Sequence, residues 1–147
     1  MKIISNNKKA YHDFFVSDLV ETGIVLEGSE VKSVRAGGIN INDAFVVIKN
    51  GEAILKNCYI ATYDKTSAFI PDTRRNRKLL LHKAEILKLE RKVLGKGFSI
   101  IPTKVYITDG LVKLEVGLAK GKKLYDKRTS LKDRAVKREI DRVIKSY

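Results

Sequence analysis

Three stretches of the chain combine positive side chains with aromatic rings, a pairing that proteins use to hold nucleic acids. The first is "NNKKAYHDFF", where Lys8 and Lys9 could neutralise phosphates and Tyr11 could stack on an unpaired base. The second is "TRRNRK", residues 73–78, whose guanidinium groups suit phosphates or bases. The third is the C-terminal stretch, where Lys and Arg alternate with Leu and Tyr. Together these stretches favour RNA as the ligand.

The net charge also indicates a polyanionic partner. It is +13 in 147 residues, of which 44% are apolar, and such an excess opposes compaction rather than stabilising a fold. Residues 119–147 carry seven Lys and four Arg against four Asp or Glu, a net charge of +7. An anionic membrane is the second candidate, but the apolar stripe of this segment is thin for one. An ordinary solvated basic face is the remaining alternative.

Motifs typical of enzymes and metal sites are missing. "GLAKGKK" is one residue short of a phosphate-binding loop and has no Ser or Thr after its lysine. The two His and the single Cys58 lack metal-ligand spacing, and the carboxylates are scattered among Lys and Arg, unlike those of a two-metal nuclease. We therefore predict no catalytic residues, no metal and no cofactor. A lone cysteine and the lack of a long apolar run or a secretory leader predict a cytoplasmic protein.

Hairpins dominate the predicted secondary structure. Asn50-Gly51 and Asp109-Gly110 each separate two β-rich runs, which predicts two hairpins with tight turns. Residues 23–28 read as a short buried strand, and Phe14 with Phe15 reads as the first core strand. The "SAFIPDTRRNRK" segment reads as a loop.

Two helices interrupt these strands. A short one is expected to begin at Ser29, with Val31 and Val34 facing the core, and to end at Gly37 and Gly38. The longer one follows "LLLH" and ends at Gly95 and Gly97. Its apolar stripe consists of Ile86, Leu89 and Val93, and we expect Leu87 and Leu94 to widen that stripe.

These elements predict a mainly β fold with short α-helices. Strands joined by hairpins protect their edges most readily in an OB-fold-like antiparallel β-barrel with flanking helices and a flexible C-terminal tail. We assign residues 1–118 to the barrel and 119–147 to the tail. The helix expected from Ser130 would be about 25 Å long and marginal in isolation, so the tail should be disordered when free.

Four blocks follow one another along the chain: "NKKAYHDFF", "GIVLEGSEVKSVRAG", "DTRRNRKLLLHK" and "GLAKGKKLYDKR". In order and in register, they resemble those of the tmRNA-binding small protein B family, also called SsrA-binding proteins. The resemblance implies an OB-type barrel that binds the tRNA-like domain of tmRNA. It also implies entry into stalled 70S ribosomes with alanyl-tmRNA and EF-Tu, followed by tagging of the nascent chain. One departure is Thr73, where the family usually has proline after Asp72.

The resemblance also implies where the barrel contacts tmRNA. The family's contact positions fall on Asn7, Glu21 and Leu80. A carboxylate at Glu21 could accept hydrogen bonds from base amino groups or hold a neighbouring cation. By its pattern Leu80 reads as a core residue, packing beneath the RNA surface. Charge and position add the other candidates for RNA binding: Lys8, Lys9, Tyr11, Arg77, Lys78 and His82.

For the tail, the resemblance implies a helix inside the empty mRNA channel, with Gly121 allowing a bend and Tyr125 stacking on rRNA. The rRNA of that channel would be a further partner. We expect no membrane partner, and we expect the protein to be a monomer. Without the resemblance, a ribosomal or cold-shock-like RNA-binding module is the alternative. The predicted tail residues are Lys120, Gly121, Lys122, Lys123, Tyr125, Asp126, Lys127 and Arg128 near the decoding centre, and Lys132, Arg134, Lys137, Arg138, Val143 and Ile144 along the channel.

Overall fold

A computed structural model describes residues 1–63 and 70–122. This part of the chain is mainly β with short helices, as predicted, although it has three helices where two were expected. Its elements, in order, are β1 (Lys2–Asn6), α1 (Lys8–Asp13), β2 (Phe14–Ile24), α2 (Gly28–Arg35), β3 (Ile39–Asn40), β4 (Phe45–Lys49), β5 (Glu52–Lys56), β6 (Tyr59–Ile60), β7 (Arg77–Leu80), α3 (Lys83–Lys96), β8 (Ser99–Thr108) and β9 (Leu111–Gly121).

Six of these strands close into an antiparallel ring. The order around the ring is β8, β4, β5, β7, β2 and β9, and β9 pairs back with β8. Strand β1 adds to β8, while β3 and β6 form a separate pair. Two seams are short: β4 meets β8 through Val46 opposite Ile100, and β2 meets β7 at Gly23 opposite Leu80. The predicted closure, which protects the strand edges, is confirmed.

Both predicted hairpin turns are present. Asn50 and Gly51 have φ values of 53° and 74°, and Asp109 and Gly110 have 52° and 76°. A type I′ turn needs positive φ at both central residues, a conformation that Asn, Asp and Gly tolerate best. The two hairpins are β4–β5 and β8–β9, and they supply four of the six ring strands.

The short helix α2 forms where it was expected, but it begins before Ser29. Glu27 is the N-cap, and its backbone N–H donates to Glu30 Oε1 at 2.9 Å in a capping box. Val34 is fully buried, whereas Val31 is only half-buried. The glycine at the end of the helix, Gly37, has a φ of 85°, as the prediction required.

The longer helix α3 buries a narrower stripe than predicted. Ile86 and Leu89 are buried and Gly97, with a φ of 70°, ends the helix. The expectation that Leu87 and Leu94 join the core was wrong, because they are 43% and 80% exposed. The helical period places them on the side of α3 that faces away from the sheet.

The N-terminal segment contains a helix that the sequence did not predict. Asn7 caps α1, its Oδ1 accepting from the Ala10 backbone N–H at 3.0 Å, and the strand containing Phe14 and Phe15 starts directly after it. Strand β2 then runs to Ile24, so half of the strand expected over residues 23–28 is instead the loop before α2.

Alternate positions of the ring strands form the hydrophobic core. Leu55, Leu79, Leu114, Val116 and Leu118 are each at most 1% exposed. Burying a side chain of this size contributes about 1.5–3 kcal/mol relative to leaving it exposed. This shared core fixes which face of each strand points outward and can bind a ligand.

A buried ion pair joins α2 to β7. The Arg77 side chain is fully buried, and its Nε and Nη2 donate to Glu30 Oε2 at 2.8 and 2.6 Å. Its Nη1 donates to the Cys58 carbonyl at 2.7 Å, and its Nη2 also reaches the Thr73 carbonyl at 3.2 Å. Arg75 forms a second ion pair with Glu30. One carboxylate therefore holds the helix, the strand and the loop before that strand together.

The surroundings of Glu30 favour its charged form. Burial alone would raise its pKa, but hydrogen bonds from Arg75, the Glu27 N–H and Arg77, with the charge of Arg77, hold the pKa below its ordinary value. Because the same burial leaves no solvent to replace a lost partner, breaking the pair should be costly.

We predict that Glu30→Gln lowers the free energy of unfolding by about 3 kcal/mol or more, since it leaves the Arg77 charge buried without its counter-ion. Urea denaturation at pH 7 measures this. The matched control is Lys78→Gln, which loses an exposed pair 3.7 Å from Glu52 and should stay within about 0.5 kcal/mol of the wild type. Equal effects of the two substitutions would contradict a structural role for the pair.

The same pair should make stability depend on acid. The folded pKa of Glu30 lies below its unfolded value of about 4.3, so the contribution is complete above about pH 5 and is lost as the pH falls through the folded pKa. We expect the stability difference between wild type and Glu30→Gln to be largest near pH 7 and to shrink below about pH 4. A difference that stays constant down to about pH 3 would rule out this linkage.

Candidate nucleic-acid interface

Four of the predicted RNA-binding residues meet in one open groove. Glu21 lies on β2, Lys78 and Leu80 lie on β7, and His82 follows that strand. Pairing of Gly23 with Leu80 brings the two strands side by side, and all four residues line a groove of about 790 Å³. Lys113, opposite Gly23 on β9, lies on the same wall. The groove thus combines cations, a carboxylate and an apolar surface.

The carboxylate of Glu21 is held in place by a buried tyrosine. The hydroxyl of Tyr106, on β8, donates a hydrogen bond to Glu21 Oε2, and the Tyr106 residue is 5% exposed. Burial, with the hydrogen bond to Glu21 and its negative charge, raises the pKa of Tyr106 far above its ordinary value, so it stays a donor. Tyr106 was missed in the sequence because it reads as an ordinary inward-facing strand residue.

Leu80 lies on the surface and not in the core. It is 53% exposed, because Arg77 and Leu79 take the two inward positions of β7 and leave Lys78 and Leu80 facing out. The neighbouring strand has Gly23 at the paired position, where an added Cβ would come within 3.1 Å of the Leu80 Cβ. The glycine leaves room for the leucine, which gives the groove an apolar wall.

Two predicted contact residues are buried instead. Arg77 cannot present its guanidinium to RNA while that group binds Glu30, so its prediction as a direct contact needs correction. Asn7 is 2% exposed, and its Nδ2 donates to the carbonyl of Pro102 at 2.8 Å. Both residues position their neighbours: the residues that they leave on the surface are Lys8, Lys9, Tyr11 and Lys78.

The replacement of proline by Thr73 leaves its loop anchored. The Thr73 carbonyl accepts from the Ile60 N–H at 2.9 Å and from Arg77 Nη2 at 3.2 Å. Both bonds use the carbonyl oxygen, which a proline at this position would also supply.

The end of β9 lies against α1. Gly121 pairs with Phe14, and Lys122 Nζ donates to the Tyr11 carbonyl at 2.8 Å while lying 5.4 Å from the centre of the Phe15 ring. Because β9 runs to Gly121, the folded body continues three residues past the predicted boundary at 118. The tail residues from Lys123 onward lie outside the described part of the chain, as do the predictions for Tyr125, Asp126, Lys127, Arg128, Lys132, Arg134, Lys137, Arg138, Val143 and Ile144.

The predicted body residues therefore fall into two groups at opposite ends of the β2–β9 pair. The groove lies where Gly23 meets Lys113, and α1 lies where Phe14 meets Gly121. Lys113 and Gly121 are about 26 Å apart along β9 at about 3.3 Å per residue. This separation is large enough for the two groups to contact different RNA surfaces.

Over residues 1–63 and 70–122, no three His, Cys, Asp or Glu side chains are grouped so that they could bind a metal ion. Helices in the same ranges are too short or too polar to cross a membrane.

Comparison with known proteins gives one consistent result. The family model for SmpB protein matches residues 4–146. SsrA-binding proteins of Persephonella marina and Pelobacter propionicus are 53% and 50% identical over 145 residues, covering 99% of this chain and 95% of each relative. A solved structure described as "tmRNA-SmpB: a journey to the center of the bacterial ribosome" matches with a TM-score of 0.71 and 44% identity, over 92% of this chain and 96% of the other. The chain therefore belongs to the SmpB protein family.

Proposed function

We propose that this protein is the RNA-binding adaptor of trans-translation, which binds tmRNA and delivers it to stalled ribosomes so that the nascent chain is tagged for proteolysis. The observation that carries this proposal is the match to SsrA-binding proteins over 99% of the chain at about 50% identity. The ribosomal tmRNA–SmpB neighbour supports the same partners.

The groove supplies suitable chemistry for a folded RNA. Lys78 and Lys113 offer charge to phosphates, while the oriented Glu21 carboxylate accepts hydrogen bonds from base amino groups. Leu80 offers an apolar surface to an exposed ribose or base. Since a carboxylate repels phosphate, this combination favours an RNA that presents base edges at one place.

At the other end of the body, α1 and the start of the tail would bind a different RNA. Lys8 and Lys9 lie on α1 where β9 ends, next to residues 119–147, whose net charge of +7 includes Lys120 and Lys122. Such charge suits the rRNA around an empty mRNA channel, where the tail would become helical. The protein would act as a monomer in the cytoplasm, with alanyl-tmRNA and EF-Tu, and without catalysing a reaction itself.

A competition gel shift at physiological salt tests the proposal. Labelled tRNA-like domain of tmRNA is bound to the full chain and competed with unlabelled tmRNA or an unrelated tRNA. The adaptor requires that tmRNA compete far better, since non-specific binding is mostly electrostatic and similar for both RNAs. Equal competition would instead favour the generic RNA-binding module.

We predict that Tyr106→Phe weakens tmRNA binding by about fivefold, the effect of losing one hydrogen bond that orients Glu21. In a Glu21→Ala background the same substitution should have no further effect, because its target is gone. Fluorescence anisotropy with the tRNA-like domain measures all four proteins.

The matched control for this cycle is Thr22→Val. This substitution also removes a buried hydrogen bond, which Thr22 Oγ1 donates to the Leu114 carbonyl at 3.1 Å, but that bond does not involve Glu21. An equal loss of affinity in Thr22→Val would mean that Tyr106 acts only through general stability.

Deleting residues 123–147 should separate the functions of the two ends of the molecule. We expect tmRNA binding to change by less than about threefold at physiological salt, because charges beyond the Debye length of about 8 Å are screened. Tagging on stalled ribosomes should be lost. The deletion preserves β9 and the contact of Lys122 with Tyr11, and parallel losses in both assays would refute the division of labour.

A further inference from the structure

A second aromatic and cationic feature lies outside the groove. The guanidinium carbon of Arg74 is 5.5 Å from the centre of the Tyr59 ring. Both residues are exposed, Tyr59 by 37%. We call this pair the Tyr59–Arg74 platform. It lies between β6 and the loop that leads into β7, and the function proposed above does not use it.

The side chain and the backbone of Arg74 are each held by a hydrogen bond. Its Nη1 donates to Asn57 Oδ1 at 3.0 Å, and the Arg74 backbone N–H donates to Asp72 Oδ1 at 2.8 Å. Asn57 is itself fixed, with a φ of 58° and its Nδ2 donating to the Asp43 carbonyl at 3.1 Å. A long surface side chain normally keeps its rotamer freedom, so this arginine has already given up much of the entropy that binding would remove.

The loop beneath the platform is equally constrained. Arg75 and Arg77, on either side of Asn76, both bind the Glu30 carboxylate, and the Thr73 carbonyl accepts from the Ile60 N–H. The arginines of this segment therefore point in two directions. Arg75 and Arg77 turn inward to Glu30, while Arg74 turns outward onto Tyr59.

The charges around the platform nearly balance. Lys9 Nζ binds Asp43 Oδ1 at 2.8 Å, and the hydrogen bond and charge of Lys9, with a smaller effect of Arg74, lower the pKa of Asp43. Lys9 and Arg74 thus both act on the Asp43 carboxylate, and the Asp72 carboxylate accepts from the backbone N–H of Arg74. A nearly neutral surface attracts a phosphate chain only weakly, whereas an exposed ring with a guanidinium beside it suits the flat face of a base.

We propose that the Tyr59–Arg74 platform is a second RNA-binding site that stacks one unpaired base. The base stacks on the exposed side of this pair, in which the guanidinium lies over the Tyr59 ring. This inference rests on the proposed function for the identity of the RNA, which is either tmRNA or ribosomal RNA.

Binding measurements on the full chain test the platform. Tyr59→Leu and Arg74→Gln should each weaken binding by about tenfold, the effect of losing one stacked base. Tyr59→Phe keeps the ring and should bind like the wild type. Lys49→Gln, which removes a charge from the exposed end of β4, is the matched control for Arg74→Gln. Anisotropy with the tRNA-like domain of tmRNA and sedimentation with 70S ribosomes form two arms, and the arm that weakens identifies the source of the base.

Binding losses no greater than that of Lys49→Gln for both platform variants in both arms would overturn the proposal. If the wild type does not prefer tmRNA, that result refutes only the proposed function. The platform is then tested separately by an NMR titration of the protein with single-stranded hexa-adenylate. The Tyr59 ring protons and the Arg74 Nε–H should shift together, and their insensitivity at saturating oligonucleotide would contradict a stacking site. Thermal unfolding of each variant excludes loss of fold as the cause.

Discussion

The interaction on which the rest of the structure depends is the buried contact of Glu30 with Arg77. Each of the two charges takes the place of the water that would otherwise solvate the other. Through Arg77, the pair connects β7 to α2, to the Cys58 carbonyl and to the Thr73 carbonyl. That strand, β7, then exposes Lys78 and Leu80 to the groove. A buried pair of this kind adds little net stability compared with apolar packing, but it costs much when one partner is missing. Its role here is to specify where the strand and its loop lie.

A second constraint is the length of the β2–β9 pair. The two strands run side by side from Phe14 opposite Gly121 to Gly23 opposite Lys113, so what binds at one end is about 26 Å from the other. The groove with its oriented carboxylate lies at one end, and the start of the basic tail lies at the other. The two ends are thus far enough apart for the RNA proposed at the groove to differ from the RNA proposed at the tail.

The sequence predicted best what local chemistry decides. Asn50-Gly51 and Asp109-Gly110 specify their hairpins because few other residues accept positive φ, and the four family blocks led to the SmpB protein family. It failed where distant residues decide. Arg77 lies in a polar stretch that reads as solvated, and its partner Glu30 is far away in sequence, so its burial was not predictable. Leu80 faces outward because Arg77 and Leu79 take the inward positions of β7, and the orientation of Glu21 depends on Tyr106 from another strand.

The central claim of the proposed function is that opposite ends of one folded body contact different RNAs. Directed hydroxyl-radical cleavage tests it most directly, with the probe tethered to Lys113→Cys or Lys120→Cys in the complex of tmRNA with a stalled ribosome. The natural Cys58 is buried and its burial raises its pKa to about 11, so it should not take up the probe. The account predicts cleavage of the tRNA-like domain from position 113 and of ribosomal RNA from position 120. Cleavage of the same tmRNA nucleotides from both positions would contradict it.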